Sequence, residues 1–279
     1  TTTWQFDSLR PGEVYRFHVV AINEMGKSGN SPVLSTLAAM HPGMSYGKVP
    51  EYSKIGYRPI IIDVSESSLS TKWAHLPADI SGGSPVTGFK LYMYKYDYPL
   101  LHSNADHTKE EVQHITILDK DSISGTFTAS FRGEETVDIA TDATPDTVKT
   151  ALENLPSINL VHVESVANGW SVAFLSEAGD LPLIKTTSGR LSNDAKVVVT
   201  EVIKGDAATL VFETQTPGRR TFEALHLESD VGYAFKVAPV NAVGYGILSS
   251  ASIVTVARAG ASATKTTASG SALSRGIAG

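Results

Sequence analysis

LRPGEVYRFHVVAINEMG, residues 9–26, decides the fold, because its pattern returns near the other end of the chain. The later copy keeps the following residues at one constant spacing: Leu227, Tyr233, Phe235, Val237, Asn241 and Gly244. Apolar residues occupy every second position in both copies, which predicts a strand with one buried face. A tyrosine at the start of such a strand predicts a tyrosine corner, whose hydroxyl bonds to backbone just upstream. We therefore expect Tyr15 and Tyr233 to be core residues.

The opening strands of a sandwich precede the later copy. Residues 60–64 and 69–73 alternate apolar and polar side chains and end on Trp73. A Gly-Gly-Ser-Pro turn at 82–85 then leads into a strand from Phe89. The strands that lead into the later copy begin only near Thr209.

Both copies resemble the closing strands of fibronectin type III domains, and the strands around Trp73 resemble the opening ones. The resemblance implies a mainly β fold, an immunoglobulin-like β-sandwich with Trp73 in its core. It also implies an inserted α+β domain, because a long segment separates the opening strands from the closing strands that begin near Thr209. The later copy departs from the family at Pro239, where alanine is usual. Since proline cannot donate to a ladder, we expect that strand end to be unpaired or at an edge.

The inserted segment has its own pattern. Residues 123–131 alternate, Thr144-Pro145-Asp146 is a helix start, and Asn168-Gly169 joins two strands in a hairpin. Trp170 is expected in the core of this part. The segment resembles a repeat of very large multidomain surface proteins from protists and algae.

These observations predict the following division: 1–39, closing strands of one type III domain; 40–49, a linker that limits bending; 50–108 with 206–258, a discontinuous type III domain; 109–205, the inserted α+β domain; 259–279, a linker or the start of a filamin-type immunoglobulin repeat. The first and last pieces are expected to be parts of larger domains, in a window of a longer protein. Alternatively, a neighbouring copy supplies the missing strands.

Composition and motifs argue against several classes of function. The chain has 279 residues, with 23 basic and 29 acidic side chains and a formal net charge of −6, which argues against a nucleic-acid partner. No apolar run is long enough for a membrane span, and cysteine is absent. Motif searches predict no enzyme activity, no cofactor and no metal site. Residues 97–114 carry three histidines among acids, which we interpret as a hydrated linker rather than a metal site.

One local feature suggests an interface. Tyrosines recur at every second position at the end of the third strand: Tyr92, Tyr94, Tyr96 and Tyr98. In an extended strand they share one face. Such a face is either covered by the inserted segment or kept wet by its hydroxyls, or it is a docking surface for another subunit.

The sequence predicts a non-catalytic structural or adhesion segment of a large extracellular or cell-surface protein, with other protein subunits or copies of itself as partners. The alternative is an intracellular cytoskeletal or ciliary scaffold, and a third class is an appendage of an enzyme whose catalytic part lies outside this chain. The chain has no Arg-Gly-Asp motif, so integrin binding is not expected. Sugars could be linked to the threonines near its end: Thr264, Thr266 and Thr267.

Overall fold

The computed structural model describes residues 4, 6, 8–43, 58–96, 108–119 and 123–257, and within them the fold is mainly β. Strands of the first part are β1 (Val14–Phe17), β2 (Ile22–Asn23), β3 (Gly26–Lys27), β4 (Leu34–Leu37), β5 (Ile60–Val64), β6 (Leu69–Lys72) and β7 (Gly88–Tyr96). The middle part holds β8 (Val112–Ile117), β9 (Gly125–Phe131), β10 (Glu134–Glu135), β11 (Ile139–Ala140), helix α1 (Pro145–Glu153), β12 (Val161–Val166), β13 (Gly169–Phe174), β14 (Lys185–Leu191) and β15 (Val197–Ile203). The last strands are β16 (Ala208–Thr214), β17 (Thr221–Ala224), β18 (Gly232–Val240) and β19 (Thr255–Val256).

Two antiparallel sheets form a β-sandwich from strands on both sides of the middle part. One sheet has the order β17-β6-β5 and the other the order β16-β7-β18-β19. Trp73 and Tyr233 lie in the single hydrophobic cluster between these sheets, together with Phe89 and Phe235. The mainly β, immunoglobulin-like fold predicted from the sequence is therefore confirmed.

Pro239 corrects one expectation. It lies inside β18, opposite Phe89 of β7, and not at an unpaired or edge position. Its carbonyl accepts a hydrogen bond from Gly246 N at 2.8 Å, on the side of the strand that faces away from β7. The nitrogen of the same residue faces that side too, so the missing N–H costs the ladder with β7 nothing.

The middle part has sheets and a hydrophobic cluster of its own. Its sheets are β12-β13-β8-β15 and a second group in which β10, β11 and β14 pair with β9. Ring contacts join the two sheets, with Phe127 5.8 Å from Trp170 and Phe131 5.3 Å from Phe174 between centroids. The buried Trp170 ring also donates from Nε1 to Ala143 O at 3.2 Å.

Helix α1 closes this cluster. Its N-cap is Thr144, whose side chain accepts a hydrogen bond from Thr147 N, and Pro145 stands at the first helical position. Val148, Ala151 and Leu152 form the buried face, as their spacing on a helix requires.

The segment interpreted as a hydrated linker is partly a strand. Val112–Ile117 form β8, which lies between β13 and β15, and Glu111 is fully buried. His114 is half-buried in β8 and pairs in register with Ser171 and Thr200. The linker interpretation is therefore wrong from residue 111 onward. Residues 114–117 alternate polar and apolar side chains as a strand does, but the charged residues just before them favoured a linker.

The first 43 residues contain two short strand pairs, β1 with β4 and β2 with β3. Both predicted tyrosine corners are confirmed, since Arg10 N donates to Tyr15 Oη at 2.9 Å and Glu228 N donates to Tyr233 Oη at 3.0 Å. Tyr233 is buried, whereas Tyr15 is only half-buried. Tyr15 thus differs from the expected core residue, because no second sheet among the described residues packs on its strand pair.

Several predictions fall outside the described residues. These are Tyr98, the threonines Thr264, Thr266 and Thr267, the filamin-like stretch 259–279, and the part of the linker at 44–49. Within the described residues, no helix has the length and apolar character needed to cross a bilayer.

Candidate functional site: the junction at residues 38–43

Residues 38–43, named here the junction segment, connect β4 to the sandwich and lie directly against it. Met40 N donates to Gly82 O at 2.9 Å, and Gly43 N donates to Ile80 O at 2.7 Å. On the other side, Ile247 N donates to the carbonyl of the buried Pro42 at 3.3 Å. Backbone hydrogen bonds on two sides therefore hold the junction segment in place.

Glycines allow this close approach. A Cβ atom on Gly82 would lie 2.1 Å from Met40 O, and one on Gly246 would lie 2.0 Å from Pro42 O. Gly83 contacts the backbone just before β1, because a Cβ atom on Gly83 would lie 2.2 Å from Gly12 N. At such distances the neighbouring backbone would have to move, so the contact depends on glycine at these positions.

Asn241 joins the junction segment to the turn beside it. Its buried amide nitrogen donates to Met40 O at 2.8 Å and to Ser81 O at 3.0 Å. Its side-chain oxygen accepts from Val243 N at 2.9 Å. Among the residues that the structure describes, the equivalent Asn23 makes only the corresponding turn contact, to Met25 N at 2.9 Å. The repeat thus shows that the bonds to Met40 and Ser81 are an addition to an ordinary turn.

His41 brings a third part of the chain into contact. Its Nδ1 donates to Tyr245 O at 2.9 Å, and Tyr245 N in turn donates to Asn159 Oδ1 of the middle part at 3.4 Å. Burial lowers the pKa of His41 below its usual 6.5, while nearby Glu153 of α1 acts in the opposite direction. The first strand pair, the sandwich and the middle part therefore meet at this one place.

A second contact area lies between the middle part and the sandwich. Leu160 belongs to the sandwich cluster, and Leu248 N donates to Leu175 O at 2.9 Å. The nearly buried Glu177 accepts from Asn159 N at 2.8 Å and from Ser176 Oγ at 2.9 Å. Burial raises the pKa of Glu177, because an apolar environment disfavours the charged carboxylate.

The predicted tyrosine stripe is partly covered within the chain. Tyr94 is 3% exposed, so its ring is not available to another subunit, whereas Tyr92 and Tyr96 are half-buried. Lys236, itself buried, has its Nζ 5.9 Å from the centre of the Tyr94 ring and 3.6 Å from the carboxylate of Glu110. Burial raises the pKa of Tyr92 to about 12, with Glu177 and Glu213 adding to the effect.

A carboxylate cluster that the sequence did not reveal lies at the start of β8. Oxygen atoms of Glu111, Asp180 and Glu201 lie within 4.8 Å of one another. Such donors suit a hard cation, but two of these three groups already have partners within the chain. Glu111 accepts from Gly205 N at 2.8 Å, and Lys204 Nζ lies 2.7 Å from Asp180. Their wide separation in sequence left no motif to recognise.

This chain has low sequence similarity to known proteins. No family model and no curated protein matches it. The solved FN1-FN3 domains of chicken CNTN1 are 13% identical, with 89% of this chain and 76% of that chain covered and a TM-score of 0.17. Domains from titin are 11% identical, with 86% and 82% covered and a TM-score of 0.16. The fold assignment rests on the sheet order described above and not on these similarities.

Proposed function

We propose that the chain is a non-catalytic structural segment that holds neighbouring β-domains at a fixed orientation. The observation that carries the proposal is the junction segment, whose backbone lies so close to Gly82 and Gly246 that neither glycine has room for a Cβ atom. A connection meant only to join domains needs no such fit, whereas a spacer that transmits orientation does.

The proposal includes a division of the chain. Residues 50–108 and 206–258 form one discontinuous type III domain, and 109–205 form an inserted α+β domain. The two hydrophobic clusters support this division, since one holds Trp73 and Tyr233 and the other holds Trp170 with the buried face of α1. Contacts through Leu160 and Leu175 then fix the inserted domain on its host.

Three titratable groups with shifted pKa values support a structural use. His41, Glu177 and Tyr92 have shifted pKa values, and burial is the largest cause in each. Glu177 is buried, and His41 and Tyr92 are half-buried, where separate parts of the chain meet. Their shifts are thus a consequence of packing between parts, which is what a rigid spacer requires.

We place this segment in a large extracellular or cell-surface protein with adhesive or filament-forming partners. The sequence resemblance of the inserted segment to repeats of surface proteins supports this setting. An intracellular cytoskeletal or ciliary scaffold is the competing setting, and the two differ in whether an antibody can reach the chain on an unbroken cell.

The test is immunogold microscopy with an antibody against residues 109–205, on intact and on permeabilised cells of the source organism. We expect label on intact cells, along a continuous surface structure. Label that appears only after permeabilisation and follows internal filaments would contradict the cell-surface setting and support the cytoskeletal one. Diffuse label in both preparations would contradict a structural role.

A further inference from the structure

Strand β15 is an exposed edge of its sheet. It is the last strand in the order β12-β13-β8-β15, and no described strand pairs with its outer side. Three of its aliphatic side chains are substantially exposed: Val198 at 38%, Val202 at 50% and Ile203 at 42%. Edge strands are usually guarded by charged side chains, especially lysine, by proline, by a β-bulge or by a covering element. Residues 197–203 contain no lysine or proline, and their one charged residue, Glu201, and their bulge lie at the C-terminal end of the strand.

The hydrogen bonds show which backbone groups of β15 point outward. Leu118 N donates to Lys196 O at 3.0 Å, so alternate residues from 196 turn their backbone groups toward β8. By the same alternation, Val197, Val199 and Glu201 turn theirs toward the outer side. These are the groups that a further strand would need.

The side chains of β14 satisfy only the first outward residue. Thr186 Oγ1 donates to Val197 O at 2.8 Å, and Val197 N donates to Ser188 Oγ at 3.0 Å. In the part of the chain that the structure describes, the outward backbone groups of Val199 and Glu201 have no hydrogen-bond partner. The open part of the edge therefore centres on Thr200.

We propose that this open edge pairs with β15 of a second copy of the chain, antiparallel and around a two-fold axis at Thr200. In that register Val199 faces Glu201 of the second copy, and Glu201 faces its Val199. Both N–H and both C=O groups of each copy are then satisfied in one step, because the two residues exchange hydrogen bonds as a bonded pair. The edge is thus complementary to itself.

The side chains fit the same register. Val198 stands opposite Val202 of the second copy, and the two Thr200 side chains meet at the axis, which are favourable cross-strand pairs. Glu201 faces Val199 rather than another acid, and its carboxylate lies beside Asp180 and Glu111 of its own chain. The β-bulge between Glu201 and Ile203 ends the regular pairing. A second copy therefore meets no directly opposed like charges.

The test is sedimentation equilibrium of the 279-residue chain and of its variants, up to about 1 mM protein, the weak end of specific association. We expect the native chain to form a dimer. Thr200→Lys places two ammonium groups at the axis and should weaken the dimer about fivefold or more. Val199→Pro removes an outward N–H from each copy without touching the ladder to β8, and should weaken it about tenfold or more.

The matched control is Thr221→Lys, which changes an exposed threonine of another edge strand, β17, and should leave the dimer unaffected. Circular dichroism shows whether each variant is folded. A native chain that stays monomeric would overturn the proposal. So would a dimer that Thr200→Lys and Val199→Pro, both folded, leave intact, or one that Thr221→Lys removes.

Discussion

At the residue scale, the side chain of Asn241 connects its own turn to the junction segment and to Ser81. Its repeat partner Asn23 bonds only within its own turn, whereas Asn241 also donates to Met40 O and Ser81 O. The repeat in the sequence places the two residues at equivalent positions. The extra bonds could not be predicted, because they depend on backbone carbonyls that only the folded chain brings close.

We predict that Asn241→Ala lowers the free energy of unfolding by about 1 to 3 kcal/mol, since it leaves two partly buried carbonyl groups without these donors. Asn23→Ala, at the equivalent exposed position, should cost less than about 1 kcal/mol. Urea denaturation followed by tryptophan fluorescence measures both. Equal losses for the two variants would show that the bonds to Met40 and Ser81 contribute nothing.

His41 gives the junction a pH dependence. Because burial holds its pKa in the folded chain below 6.5, the folded state disfavours the protonated ring relative to the unfolded state. Any destabilisation from His41 is therefore absent well above pH 6.5 and develops as the pH falls below it. The raised pKa of Glu177 acts in the opposite direction, since its protonation stabilises the fold as the pH falls toward 4.5.

The variant His41→Gln separates these two effects, because it keeps a donor near Tyr245 O but cannot titrate. We expect the native chain to lose more stability than His41→Gln between pH 7 and about pH 5. Urea midpoints measured across that range give the difference directly. Parallel pH profiles for the two proteins would mean that protonation of His41 does not affect the junction.

At the scale of elements, strands with clear alternation were predictable and those without it were not. The opening and closing strands, helix α1 and the hairpin at Asn168-Gly169 follow from local pattern. Strand β14, with the sequence KTTSGRL, has almost no apolar residues and is held by pairing with β9. The junction could not be predicted either, because the Gly82-Gly83 pair indicates only a turn in the sequence. Its contacts with the backbone of Met40 and Gly12 are visible only in the structure.

Gly83→Ala tests this contact between elements. Its added Cβ would meet Gly12 N at 2.2 Å, and Gly83 has a φ of +76°, so the first strand pair should separate from the sandwich. We expect hydrogen exchange at Met40 N to accelerate about tenfold or more, equivalent to about 1.4 kcal/mol. Gly218→Ala is the control, because its Cβ would have nothing within 4 Å. Unchanged exchange in Gly83→Ala would contradict the role of this glycine.

At the scale of the whole molecule, we propose that residues 109–205 form a self-contained domain inserted in the sandwich. Expressed alone, this stretch should fold with the helical signal of α1 and unfold cooperatively, because its cluster around Trp170 draws on its own strands. Exposure of Leu160 and Leu175 should lower its stability relative to the full chain. A heat scan without a cooperative transition would contradict the division of the chain.

The central claim is that the junction fixes the first strand pair on the sandwich, and an electron–electron distance measurement tests it most directly. The chain has no cysteine, so spin labels at Ser35→Cys and Glu66→Cys, both exposed, report a single distance. We predict one narrow distribution of label-to-label distances in the otherwise native chain and a broad one when Gly83→Ala is added. A broad distribution in the native chain would contradict it.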